Sequence, residues 1–195
     1  MYRTLRILTA LVALSLSGCV ALVATGMVTA ASVAHDRRST AEVWKDNQLK
    51  LTIVDTLNRD KQIALENNVS VISHNRIVLL VGQVRDQALR ERVLGIVRSF
   101  DDVRRVIDEL EVREPVGAVV RARDATITAR VKTGLLNIVD LPGFDPTRVN
   151  VTTEDGTVYL MGLVSAEEGE RVAASASSLS GVLQVVKVFE YVEVP

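Results

Sequence analysis

The chain has 195 residues, with 24 acidic and 23 basic side chains, two histidines, one cysteine and only 4% aromatic residues. A near-neutral balance excludes bulk attraction to nucleic acid or to an anionic membrane, so any such binding must come from a local basic patch. A single cysteine excludes the internal disulfides that brace many small exported domains, and a core of Val, Leu, Ile and Ala leaves few aromatic ligand pockets.

Arg3 and Arg6 precede an apolar run from Ile7 to Leu16, which Leu16-Ser17-Gly18-Cys19 closes. A basic start, an apolar middle and small residues at a cut site read as an export signal over residues 1–18. A cysteine directly after the small residues resembles a bacterial lipobox, in which Cys19 takes a lipid on its sulfur and becomes the mature N-terminus. The competing reading is an uncleaved anchor, since residues 7–34 are nearly uncharged and long enough to span a bilayer. Cleavage would leave 177 residues with 21 basic and 24 acidic side chains, a charge of −3. Val20, not aspartate, follows Cys19, and in lipoproteins of Gram-negative bacteria that points to the outer membrane. Residues 20–34 are apolar but small; they read as a tether close to the lipid surface or as a linker, within a segment 19–45.

The rest of the chain repeats itself. Val69-Ser70-Val71 and Val78-Leu79-Leu80-Val81-Gly82-Gln83-Val84 align with Val149-Asn150-Val151 and Val158-Tyr159-Leu160-Met161-Gly162-Leu163-Val164 at an offset of 80. Leu49, Ile53 and Leu57 meet Ile127, Val131 and Leu135 at an offset of 78, and Val103, Val106, Ile107 and Leu110 meet Val182, Val185, Val186 and Phe189 at 79. The four-residue spacing of the first set predicts a helix in each copy, and the alternation of Val69/Val71 and Val149/Val151 predicts a half-buried strand. Asn75-Arg76 and Asp155-Gly156 supply turns, of which Asp-Gly is a strong hairpin signal. Ile77–Val84 and Val158–Val164 read as second strands, 86–99 and 166–178 as helices, and 103–112 and 182–192 as last strands. Gly169, Val172, Ala173 and Ala176 make a smaller helix face than Leu89, Val93, Ile96 and Val97, so the second copy's helix should pack closer to its sheet. The expected fold class is α+β: two tandem modules over 46–113 and 123–192, joined by a linker at 114–122. Each has a three-stranded sheet with one face covered by two helices.

This repeated helix-strand-strand-helix-strand unit, with Gly82 and Gly162 closing the second strands, resembles the BON domain. Two copies behind a lipobox resemble the dual-BON outer-membrane lipoproteins. The resemblance implies a non-enzymatic, lipid-anchored protein on the periplasmic face of the outer membrane. It implies binding of anionic phospholipid through the second domain, a role in envelope integrity at division sites, and a possible partnership with the outer-membrane protein assembly machinery. The family's lipid contact lies on the first helix of the second copy, about 124–136, which carries the phospholipid-binding assignment here to Arg123, Thr126, Ile127, Arg130 and Lys132. Thr126 stands where an aromatic is expected. A second reading is a chaperone-like scaffold without a headgroup site.

No enzymatic constellation, cofactor loop or metal-ligand spacing is evident, so no enzyme, cofactor, metal or nucleic-acid partner is expected. His35 lies in the tether and His74 in a turn, and both are expected at the surface. Gly82 and Gly162 read as strand-end bends or close approaches to the next helix. Trp44 is expected before the first helix, as a packing cap or an interfacial anchor. Phe144, in Leu141-Pro142-Gly143-Phe144-Asp145-Pro146, reads as a core plug, with an exposed contact as the alternative. Arg85, Arg90, Arg92, Arg98, Arg104 and Arg105 form a second basic set, interleaved with acids and expected to be balanced.

Overall fold

A computed structural model describes residues 37–193; the signal segment, Cys19, most of the tether and His35 lie outside them. The elements of the first module are α1 (Thr40–Arg59), α2 (Lys61–Glu66), β1 (Asn68–His74), β2 (Ile77–Val84), α3 (Gln87–Arg98) and β3 (Arg105–Val112). Those of the second are α4 (Ala118–Leu135), a 3-10 turn (Pro146–Arg148), β4 (Val149–Glu154), β5 (Thr157–Val164), α5 (Ala166–Ser177) and β6 (Gln184–Tyr191). In each sheet the hairpin's second strand is central, antiparallel to the first strand and parallel to the last.

The two predicted helix stripes are buried. Leu49, Ile53 and Leu57 pack with Val71, Val78, Leu80, Val93 and Val97. Ile127, Val131 and Leu135 pack with Val151, Val158, Leu160, Val172 and Ala176, and Phe144 plugs the edge of that core. Gly169 brings α5 close to its sheet: a Cβ there would sit 3.1 Å from Tyr191 and 3.2 Å from Phe189. The α+β tandem of the sequence is therefore the observed architecture.

All eight residues of β2 are buried, which one helical layer cannot achieve, because successive side chains point to opposite faces. Val78, Leu80 and Val84 face the helices, whereas Ile77, Leu79 and Val81 meet Tyr159, Met161 and Val188 of the other sheet. The two modules thus dock sheet to sheet, giving four layers with α1 and α3 on one outside and α4 and α5 on the other. Burying each large apolar side chain in that seam contributes about 1.5–3 kcal/mol relative to exposure. Polar ties frame the seam: Asn68 and Gln83 donate to Glu154 at 2.6 and 2.9 Å, Asn75 donates to Glu190 at 2.9 Å, and Arg113 donates to Asp155 at 2.9 Å.

Each module uses one buried aspartate to hold its hairpin. Asp46 accepts from the N–H groups of Asn75 and Arg76 at 2.6 and 2.7 Å, from Ser73 Oγ at 2.8 Å and from Arg38. Its counterpart Asp124 accepts from the N–H groups of Asp155 and Gly156 at 2.8 and 3.0 Å. Both turns have positive φ at their central residues, 51° and 59° in the first and 44° and 78° in the second, so they are type I′ turns. Their paired N–H groups converge on the carboxylate above them.

Several expectations need correction. Trp44 lies inside α1, not before it, and its side chain is 66% exposed. His74 ends β1 and is 2% exposed, because the sister sheet covers the face on which it lies. The close approach is to the backbone of β1 at Gly82 and of the 3-10 turn leading into β4 at Gly162, not to the next helix. A Cβ would stand 1.9 Å from the Asn68 carbonyl oxygen and 2.4 Å from that of Arg148. Helix α4 begins at Ala118, inside the expected linker, and α1 begins at Thr40, inside the expected tether; α2 had no signal beyond Asp60, whose side chain caps it.

Asp124→Ala leaves two turn N–H groups without their acceptor and is expected to cost about 2–4 kcal/mol, read as a fall in the urea midpoint at unchanged slope. A change below about 0.5 kcal/mol would show that the carboxylate does not hold the hairpin.

Candidate functional site

Helix α4 carries four basic residues and one acid, and the acid, Asp124, points inward to the hairpin. Its outward face is consequently free of negative charge. Val119, Ala122, Thr126, Ala129 and Thr133 follow at steps of three and four residues, all exposed, so they form a single line along the helix. Arg123 and Arg130 flank that line on one side, Arg121 and Lys132 on the other. Leu136, 64% exposed, continues the strip at its end.

Of the assigned residues, the structure brings Thr126, Arg130 and Lys132 to this surface. Ile127 is 1% exposed, locked in the core by the same four-residue spacing that predicts the helix, and cannot touch a ligand. Arg123 is exposed, but it donates to Asp155 at 3.0 Å, which offsets its charge toward an anion. Arg130 donates to the Ser180 carbonyl and Arg121 to the Val116 carbonyl, each at 2.7 Å. Those partners are neutral, so both charges stay uncompensated. Lys132 forms no ion pair with any described residue. Arg121, a basic residue just ahead of the expected helix, and Leu136, at its expected end, complete the face with Val119, which was missed because the helix start was placed too late.

In the rival basic set Arg85, Arg90, Arg92 and Arg104 pair with Glu114, Asp108, Asp60 and Glu190, while Arg98, on α3, and Arg105, on β3, form no ion pair with a described residue. On α1, Lys45 pairs with Glu42 at 2.8 Å and Arg59 with Asp55 at 2.6 Å. The outward face of α4 is thus the one helical face on which several cations lack a carboxylate partner among the described residues. No group of acidic, histidine or cysteine side chains among the described residues is arranged to hold a metal.

The described chain starts by clamping onto the second module. Arg37 donates to both oxygens of Glu168 at 2.5 and 2.9 Å and to the Leu163 carbonyl at 3.2 Å. Glu168 also accepts from the Ser165 N–H at 2.7 Å, closing a capping box on α5. Burial pushes the Glu168 carboxyl up, but Arg37, the Ser165 N–H and Arg148 outweigh it and hold the group below its ordinary value of 4.5. At Glu154, burial in the seam wins over its amide donors and raises the carboxyl above 4.5. Burial, with Glu109, Glu111 and Glu154 nearby, pushes the Tyr159 hydroxyl up to about 12.

The fold and repeat define a class: the BON-domain model matches residues 45–114 and 123–193. The chain belongs to the BON-domain family, with two copies in tandem. It is similar to the outer membrane lipoprotein DolP of Haemophilus influenzae, 34% identical over 91% of each chain. It is also similar to a 21 kDa hemolysin of Actinobacillus pleuropneumoniae, 29% identical over 81% of this chain and 80% of that protein. Osmotically-inducible protein Y of Escherichia coli is 31% identical over 60% of this chain and 59% of its own length. This likeness places the chain at the outer membrane as a dual-BON lipoprotein. No helix among the described residues is long and apolar enough to cross a membrane.

The lowered Glu168 carboxyl gives a pH prediction. Its stabilisation is complete above the unfolded value of 4.5 and is lost as pH falls through the lower folded value. Glu168→Gln should therefore be less stable than the parent at neutral pH, and the gap should narrow as pH falls below about 4.5. A gap constant with pH would remove the Arg37 clamp from the account.

Proposed function

We propose that this non-enzymatic lipoprotein binds anionic phospholipid through the outward face of α4. In this reading it supports outer-membrane integrity at division sites, beside the outer-membrane protein assembly machinery. The observation that carries the lipid reading is the acid-free face, with Arg121, Arg130 and Lys132 lacking any carboxylate partner among the described residues. Each basic residue near an anionic leaflet contributes about 1 kcal/mol, so three together suffice for a weak, salt-sensitive contact. A lipid on Cys19 makes weakness adequate, because the anchored domain already faces the membrane at high effective concentration. Val119 and Leu136 supply apolar contact at either end, and Thr126 at the centre makes that contact shallow rather than inserted.

The test uses the unlipidated mature chain, Cys19→Ala, co-sedimented with phosphatidylglycerol-rich or purely phosphatidylcholine vesicles. Binding should be confined to the anionic vesicles and should weaken with salt. Arg130→Glu combined with Lys132→Glu should lower it at least about tenfold, since two attractions of about 1 kcal/mol become repulsions. Undiminished binding by the double variant would place the lipid contact elsewhere.

A further inference from the structure

Helix α1 shows an outward face of a different kind. Trp44 and Leu51, seven residues apart, lie on its outermost line, 66% and 63% exposed. Beside them is a groove of about 250 Å³ lined by Trp44, Lys45, Gln48, Leu49, Thr52, Phe100 and Asp102. Exposing a tryptophan and a leucine on one strip forgoes burial and marks a contact surface. The sister module shows that the fold does not need them: at the matching positions of α4 stand Ala122 and Ala129, and Phe100, Asp101 and Asp102 are matched by Leu179, Ser180 and Gly181. Two copies of one scaffold have diverged on one face, toward aromatic and acidic in the first and toward small and basic in the second.

Charge selects the occupant. Lys45 is neutralised by Glu42 and Asp55 by Arg59, whereas Asp101 and Asp102 are exposed and form no ion pair with described residues. The uncompensated charge at the groove is therefore negative, which disfavours an anionic bilayer. The layer order also puts this face on the far side of the molecule from α4, so both cannot rest on one flat membrane.

We propose that the Trp44–Phe100 groove docks a segment of a partner protein that sets an apolar side chain next to lysine or arginine. The apolar side chain fills the groove, and the cation meets Asp101, Asp102 and the indole face, where cation–π attraction adds to the pairing. The chain would then join lipid on one outside to protein on the other, and this docking surface stands whether or not α4 binds lipid.

Trp44 is the only tryptophan, so its emission reports on this groove alone. The unlipidated mature chain would be titrated with a fluorescein-labelled hexapeptide alternating leucine and lysine, with a leucine–glutamate peptide as the control. The expected result is saturable anisotropy with unlabelled peptide shifting Trp44 emission to the blue. Binding should weaken at least about fivefold in Trp44→Ala and in Asp101→Lys with Asp102→Lys, about 1 kcal/mol. Arg130→Glu should leave it unchanged. Circular dichroism checks that the exposed substitutions leave the fold intact, and Trp44→Phe should restore most of the affinity. Absence of binding, equal binding of the glutamate peptide or insensitivity to both substitutions would overturn the proposal, as would a Trp44 blue shift on phosphatidylglycerol vesicles in place of the peptide.

Discussion

Everything else in the molecule depends on a two-sided central strand. β2 and β5 carry apolar side chains on both faces, and a module of about 70 residues has helices enough to cover only one. The uncovered faces, Ile77, Leu79 and Val81 against Tyr159, Met161 and Val188, leave docking of the two sheets as the way to keep them from water. That seam commits the helices to opposite outsides. It also buries groups that a lone module would expose, among them His74, Gln83 and part of Glu154.

Docking also leaves two copies of one domain with two different outward faces. The conserved labour of the repeat is internal: Asp46 and Asp124 hold the hairpins, Gly82 and Gly162 admit a neighbouring carbonyl, and the helix stripes fill the cores. What differs is what the helices show outward. An acid-free strip on α4 suits anionic headgroups; an aromatic strip beside unpaired aspartates on α1 does not. The two surfaces are fixed on opposite sides of the docked sheets, so one flat partner cannot cover both.

The order of elements was legible because the offsets of 78–80 repeat the same apolar periods twice, and period is what separates helix from strand. Leu49/Ile53/Leu57 and Ile127/Val131/Leu135 stood out for that reason. The face of α4 was legible in part: Arg130 and Lys132 were found, but Ile127 was assigned to a ligand although its place in the core stripe already committed it to burial. Val119 was lost with the helix start, since Pro115 and Gly117 read as linker while Gly117 in fact caps the helix. The sheet seam was signalled by the unbroken apolar run Ile77–Val84, which marks a strand covered on both faces, but the run does not say what covers the second face. His74 was misplaced for the same reason, as its burial depends on the sister module and not on its own. The roles of Asp46 and Asp124 were invisible because each reaches a turn about thirty residues away, and only a pair of matched aspartates at the helix offset hints at them.

The central claim is that α4 rests on lipid while α1 faces away. Spin labels at Thr126→Cys and Leu51→Cys, one at a time in the Cys19→Ala chain on phosphatidylglycerol-rich vesicles, test it through collision with oxygen and with a water-soluble nickel chelate. The account predicts that the label at 126 gains oxygen access and loses nickel access on binding, while the label at 51 stays in water. A label at 51 that enters the interface, or one at 126 that stays in water on bound vesicles, would contradict it.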